Sequence, residues 1–141
     1  MRFVQTPVFV AVAFLLIAAA LTSCGSSSNA DAGRVLLSIS VSPQTADALN
    51  FPNGQVVFTA TGTFSKAPLT GPVSFTSPYQ GSFFVANPST QVVANVVATG
   101  DGTVTVQCTS GVTDTVQVVA SAAANNGTSA VVTGAGSLTC P

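Results

Sequence analysis

Apolar and polar side chains alternate with a period of two through most of this chain after residue 34, the pattern of half-buried strands. Val35, Leu37, Ile39 and Val41 share one face and Ser38 and Ser40 the other, until Pro43 ends the run. The alternation is clearest from Val56, where Phe58, Ala60, Gly62 and Phe64 interleave with Val57, Thr59, Thr61 and Thr63 behind a turn at Asn53-Gly54. Val73 and Phe75 alternate with Ser74 and Thr76 between Gly71-Pro72 and Ser77-Pro78, which predicts a short third strand over 73–76. Residues 83–86 and 91–97 read as two more, separated by Asn87-Pro88-Ser89, the second apolar on both faces for part of its length. Gly100-Asp101-Gly102 turns into 103–108, with Val104, Val106 and Cys108 directed to the core. Segments 115–121 and 128–140 flank Asn125-Asn126-Gly127, a signal for a tight hairpin or a slightly longer loop, and Gly134 or Gly136 is where the last strand would break. The alanine run 120–124 favours helix by propensity, but it is too brief to nucleate one, and the Val-rich segment before it and the turn after it favour strand and turn instead. About seven to nine short antiparallel strands at this spacing predict an all-β, immunoglobulin-like sandwich.

Before the alternation begins, an unbroken apolar run occupies residues 8–21 behind Arg2, and Leu21-Thr22-Ser23-Cys24 follows it directly. A charged start, an apolar middle and small residues at the end are the grammar of an export leader. Because the last residue is a cysteine, the stretch resembles a bacterial lipobox, with cleavage before Cys24 and lipid on its thiol. The reading gives a lipoprotein signal peptide over 1–23, a lipidated Cys24 with a flexible Ser/Gly-rich tether over 24–33, and one sandwich domain over 34–141. The alternatives are an ordinary secretory leader cut nearby and an uncleaved anchor, although spanning hydrocarbon takes about 20 apolar residues. Lipid on Cys24 would hold the chain to a membrane, each buried methylene contributing about 0.8 kcal/mol. Gly25 in place of an aspartate after the cysteine resembles the default for export to the outer membrane in a two-membrane host. The expected location is therefore the cell envelope, with the domain outside the cytoplasm.

Composition narrows the chemistry. After residue 23 the charged side chains are Asp31, Arg34, Asp47, Lys66, Asp101 and Asp114, and the chain contains no His. Two cations far apart in sequence are too few to displace the counterions of a phosphate backbone, which argues against nucleic acid as a partner. Without His there is no Ser-His-Asp or Cys-His arrangement, and Lys66 has no serine partner in a recognisable motif. The four aspartates are isolated and mostly in turns, a poor fit to the carboxylate pair of a glycosidase, which leaves a small hydrolase as the weakest reading. No catalytic residue, cofactor or metal site is implied. Zinc would need clustered Cys and His, and Asp101 alone between two glycines suits a steric turn better than calcium. Asn126-Gly127-Thr128 fits an N-glycosylation pattern, which the turn reading explains better.

With Cys24 committed to lipid, Cys108 and Cys140 remain as an even pair in an oxidising compartment. A disulfide between them is the leading expectation, worth about 3 to 4 kcal/mol on a chain-entropy argument, with buried free thiols as the alternative. Phe58, Phe64, Phe75, Phe83, Phe84 and Tyr79 stand mostly at core parity. Tyr79, Phe83 and Phe84 bracket Gln80-Gly81-Ser82, and this segment is the candidate for contact with a partner or a sugar if exposed.

Leu37-Ser38-Ile39-Ser40-Val41-Ser42-Pro43 and the later stretch from Gly54 to Ser65 resemble the opening of bacterial Ig-like domains, including the BIG2 group. Gly136-Ser137-Leu138-Thr139-Cys140-Pro141 is similar to the last strand of their Cys-bearing versions. Phe75 stands where such domains often carry a strand tryptophan, and Lys66-Ala67-Pro68 replaces an acidic turn. The resemblance implies a surface or periplasmic module for adhesion, for protein or polysaccharide contact, or for a structural role. A second reading makes the chain an accessory subunit of an outer-membrane assembly, its partner pairing with an edge strand.

Overall fold

In the segment Gln55–Phe64 every second residue is buried: Val56, Phe58, Ala60, Gly62 and Phe64 point inward, while Gln55, Val57 and Thr63 face out. This is the sequence alternation realised without a slip, and it makes the segment the centre of the first of two sheets. The computed structural model describes residues 33–76, 78–125 and 127–141. The leader, Cys24 and nearly all of the tether lie outside these residues. The chain separates into two units, Met1–Ala30, which is not described, and Asp31–Pro141, which contains the sandwich.

The described residues form nine strands, β1 (Leu36–Ser42), β2 (Thr45–Asp47), β3 (Gln55–Phe64), β4 (Thr70–Pro72), β5 (Gly81–Ala86), β6 (Ala94–Gly100), β7 (Thr103–Cys108), β8 (Asp114–Ala123) and β9 (Val131–Cys140). Single 3-10 turns occupy Ala48–Asn50 and Pro52–Gly54. The first sheet runs β1-β3-β7-β6 with β4 beside β3, and the second runs β2-β9-β8-β5. Leaving out the short β2 and β4, this is the strand order of a constant-type immunoglobulin sandwich, A-B-E-D facing C-F-G. All pairs are antiparallel except β2 with β9, which are parallel, a departure from the all-antiparallel expectation. The chain changes sheet between β1 and β2, where Pro43 has no N–H to offer β3 and the Gln44 carbonyl accepts from Ser137 N–H at 2.8 Å instead.

Phe58, Phe64, Leu36, Leu138 and Val41 fill the space between the sheets, with Val56, Val104, Val106 and Val118 around them. Gly134 and Gly136 do not break β9, whose pairing with β8 runs unshifted from Val131 to Cys140. Their lack of a side chain lets β1 cross closely. A Cβ on Gly134 would collide with the Ile39 carbonyl, and one on Gly136 would stand 2.7 Å from the Pro43 oxygen and 3.1 Å from the Phe58 ring. The run 120–124 is not helical, as expected: β8 continues through Ala123, with Ala120, Ala122 and the following Ala124 buried.

Three further expectations need correction. Leu37 faces solvent, because a register shift between Leu36 and Ser38 turns Leu36 into the core in its place. The third strand lies at 70–72 and not at 73–76: past Val73 the backbone leaves β3, and Phe75 N–H bonds to the Asp101 carboxylate at 2.6 Å. The segment expected over 91–97 begins at Ala94. Asn87 draws the preceding loop inward, accepting from Val93 and Ala94 N–H at 2.8 and 3.0 Å and donating to the Ala94 carbonyl at 2.8 Å.

Cys108 and Cys140 form the expected disulfide, with Cα atoms 5.6 Å apart. It joins β7 of the first sheet to β9 of the second, a different pair of strands from the one bridged in antibody domains. The sandwich has two poles. Gly33, the loop 65–69 and the loop 124–130 share one, as Ser65 N–H to Val35 O and Leu36 N–H to Ala124 O show, both at 2.9 Å. The disulfide and the Ala48–Gly54 segment occupy the other, where Gln107 donates to the Asn53 carbonyl at 3.3 Å.

Candidate contact surface along β5

Neighbouring residues of a strand point to opposite faces, so the two phenylalanines of β5 have different environments. Phe83 is partly buried and packs on Phe75, ring centroids 5.2 Å apart and planes tilted by 59°. Phe84 stands on the outer face of the second sheet, 47% exposed, across from Val119. Tyr79 does not join them on the surface. It is 2% exposed, its ring lies 5.4 Å from Phe64, and its hydroxyl donates to the Arg34 carbonyl at 3.3 Å. The partner segment 79–84 thus reduces to Phe83 and Phe84, with Tyr79 reassigned to the core.

Phe75 completes this surface. Its loop is held by Asp101, whose carboxylate accepts from Phe75 N–H at 2.6 Å and from the Ser74 hydroxyl at 2.9 Å, while Ser74 and Thr76 share a hydrogen bond of 2.7 Å. Gly81 makes room for the ring, since a Cβ there would lie 2.7 Å from it and 2.5 Å from the Ser121 carbonyl. On one side of Phe75 lies an open depression of about 380 Å³ bounded by Gln80, Ser82, Ser121 and Val131. On the other lies one of about 210 Å³ bounded by Phe83, Thr99, Gly100 and Thr103. Among the described residues, neither is lined by an ionisable side chain. Among the described residues there is no cluster of three or more His, Cys, Asp or Glu that could hold a metal.

The edges of the two sheets differ in how they are guarded. A free strand edge invites another strand unless it is short, bulged, charged or interrupted by proline. β1 and β6 bound the first sheet, and each carries a register shift, at Leu36/Ser38 and at Val96/Ala98. β2, at one edge of the second sheet, and β4, beside β3, have three residues each. β5 has six residues in unbroken register with β8 and carries neither charge nor proline. Its ends are engaged, Gly81 N–H with the Phe75 carbonyl at 3.2 Å and the Val85 carbonyl with Asn87 N–H at 3.0 Å, so the open stretch centres on Phe83. The sequence singled out Phe83 and Phe84 as candidates and gave no signal for Phe75 and Asp101 as their supports. The hydrogen bond that matters spans 26 residues and leaves no local signal.

Cys24 lies outside the described residues, and within them no helix is long and apolar enough to cross a membrane. No protein-family model matches the chain, and comparison with curated proteins and with solved structures gives no significant match.

Proposed function

We propose that this chain is a non-enzymatic cell-envelope lipoprotein, resembling the bacterial Ig-like modules, that is anchored through lipid on Cys24 and recruits a protein partner by strand addition to β5. The observation that carries the reading is the contrast between edges: β5 alone among them combines length, regular register and freedom from charge, with Phe84 exposed at its middle. An added strand would take the open N–H and C=O groups around Phe83, and its side chains would meet Phe84 on the outer face and the depressions beside Phe75. The neutral lining suits an uncharged or weakly charged segment, because a charge placed there would lose water without gaining a counter-ion.

A photo-crosslinking residue in place of Phe84, in intact cells producing the full chain, tests this, with Val57 on the outer face of the first sheet as the reference position. A discrete protein adduct from position 84 and none from position 57 is the expected result, and its mass distinguishes a second copy from another protein. Equal yields at the two positions, or a diffuse polysaccharide-sized adduct, would reject strand addition in favour of general surface contact.

A further inference from the structure

The cations, with several exposed apolar side chains beside them, lie at the pole where the tether enters the domain. Among the described residues the only cations, Arg34 and Lys66, are both there, and a Cβ built on Gly33 would stand 3.1 Å from the Lys66 Nζ. Arg34 is turned inward. Its guanidinium lies 3.6 Å from the Phe64 ring centroid and donates to the Lys66 and Pro68 carbonyls, so Lys66 is the cation that faces out. Three of the five most exposed large apolar side chains, Val131 at 63%, Leu69 at 60% and Leu37 at 57%, also lie at this end, while Leu49, at 71%, lies at the other, so charge and not apolar exposure alone separates the poles. The opposite pole carries Asp114 and Asp47, which pair with Cys140 and Thr139. Asp101 is spent on Ser74 and Phe75, and Asp31 lies outside the described residues.

Resting on the proposed acylation of Cys24, we infer that this pole docks on the headgroup layer of an anionic bilayer, Lys66 meeting lipid phosphates and Leu69 entering the interface. Nine peptide units join Cys24 to Gly33, a reach of roughly 30 Å even when fully extended, so the pole is confined to the neighbourhood of the surface. The charge separation along the domain then selects its orientation, since an anionic leaflet attracts the end bearing Lys66 and repels the end bearing Asp47 and Asp114. A basic and apolar pair at an interface is the chemistry of peripheral lipid contact. Docking would leave the disulfide pole outermost and present β5 along the side of the domain.

The chain has no tryptophan, so a single introduced one reports its surroundings without interference. Leu69→Trp and Val131→Trp at the docking pole and Leu49→Trp at the other, each in the full acylated chain on vesicles of phosphatidylglycerol and phosphatidylcholine, are compared by quenching with lipids brominated near the headgroup. The expected result is at least threefold stronger quenching at 69 and 131 than at 49, falling at least twofold when Lys66→Glu is added. Equal quenching at all three positions on vesicles that retain the chain overturns docking and leaves the anchor intact. A chain that fails to float with the vesicles at all overturns the anchor and docking together.

Discussion

Asp101 is an exposed carboxylate with a structural task. Where the chain leaves β4, the Phe75 amide has no strand partner, and the carboxylate supplies an acceptor for it and for the Ser74 hydroxyl. Hydrogen bonds to a charged acceptor are worth about 1.5 to 3 kcal/mol, and at this exposed position water takes up part of the loss. Asp101→Ala should therefore destabilise the domain by about 1 to 3 kcal/mol in urea titration and abolish the hydrogen-exchange protection of the Phe75 amide. Gly134 makes the complementary case, because the obstacle to a side chain there is the Ile39 backbone and not a movable neighbour. Gly134→Ala should cost about 1 to 3 kcal/mol by forcing β1 away from β9. Gly71→Ala serves as the reference, since nothing lies within 4 Å of its built Cβ. Its midpoint should stay within about 0.5 kcal/mol of the parent.

At the scale of elements, the two sheets meet through a core of modest side chains, and one covalent bond locks one end. Cys108 and Cys140 close a loop of 32 residues between sheets, for which the chain-entropy argument gives about 3 to 4 kcal/mol. Cys108→Ala with Cys140→Ala should lower stability by about that much, read as a shift in denaturation midpoint, and the parent with reductant should follow it. The interior strands were legible because burial on one side writes itself as alternation: β3, β7 and β8 lie where the pattern places them. The failures fall where a local hydrogen bond or bulge competes with that signal. Leu37 matched the parity of its strand and was expelled by a register shift, and Gln91, Val92 and Val93 looked like strand but are drawn into a loop by Asn87. The candidate contact surface was half legible. Phe83 and Phe84 stood out by type, but Tyr79 shares that type and lies in the core, since partners such as Phe64 and the Arg34 carbonyl come from distant parts of the chain. Phe84→Lys is the matching substitution on β5. It should change stability by less than about 0.5 kcal/mol, as exposed positions do. Strand addition should weaken at least tenfold, about 1.4 kcal/mol, in binding to the partner identified by crosslinking.

For the molecule as a whole, the division of labour between poles depends on what happens at Cys24, and three leaders with different chemistry make different predictions. The docking pole is too weak to retain the domain unaided. Burying Leu69 contributes about 1.5 to 3 kcal/mol and Lys66 near an anionic surface about 1 kcal/mol. Acyl chains, at about 0.8 kcal/mol per buried methylene, exceed that many times over. If Cys24 is the acylated residue, cells fed an alkyne-bearing palmitate analogue should label the parent chain, and Cys24→Ala should abolish the label and leave the leader uncut, because processing waits for the lipid. An ordinary secretory leader would give no label and would still release a shortened, soluble Cys24→Ala domain. An uncleaved anchor would give no label and two full-length chains whose intact masses differ only by the sulfur atom lost in the substitution. Intact-mass spectrometry of the membrane and soluble fractions, parent beside variant, separates the three, and only an acylated parent with an unprocessed variant is consistent with a lipid-held sandwich.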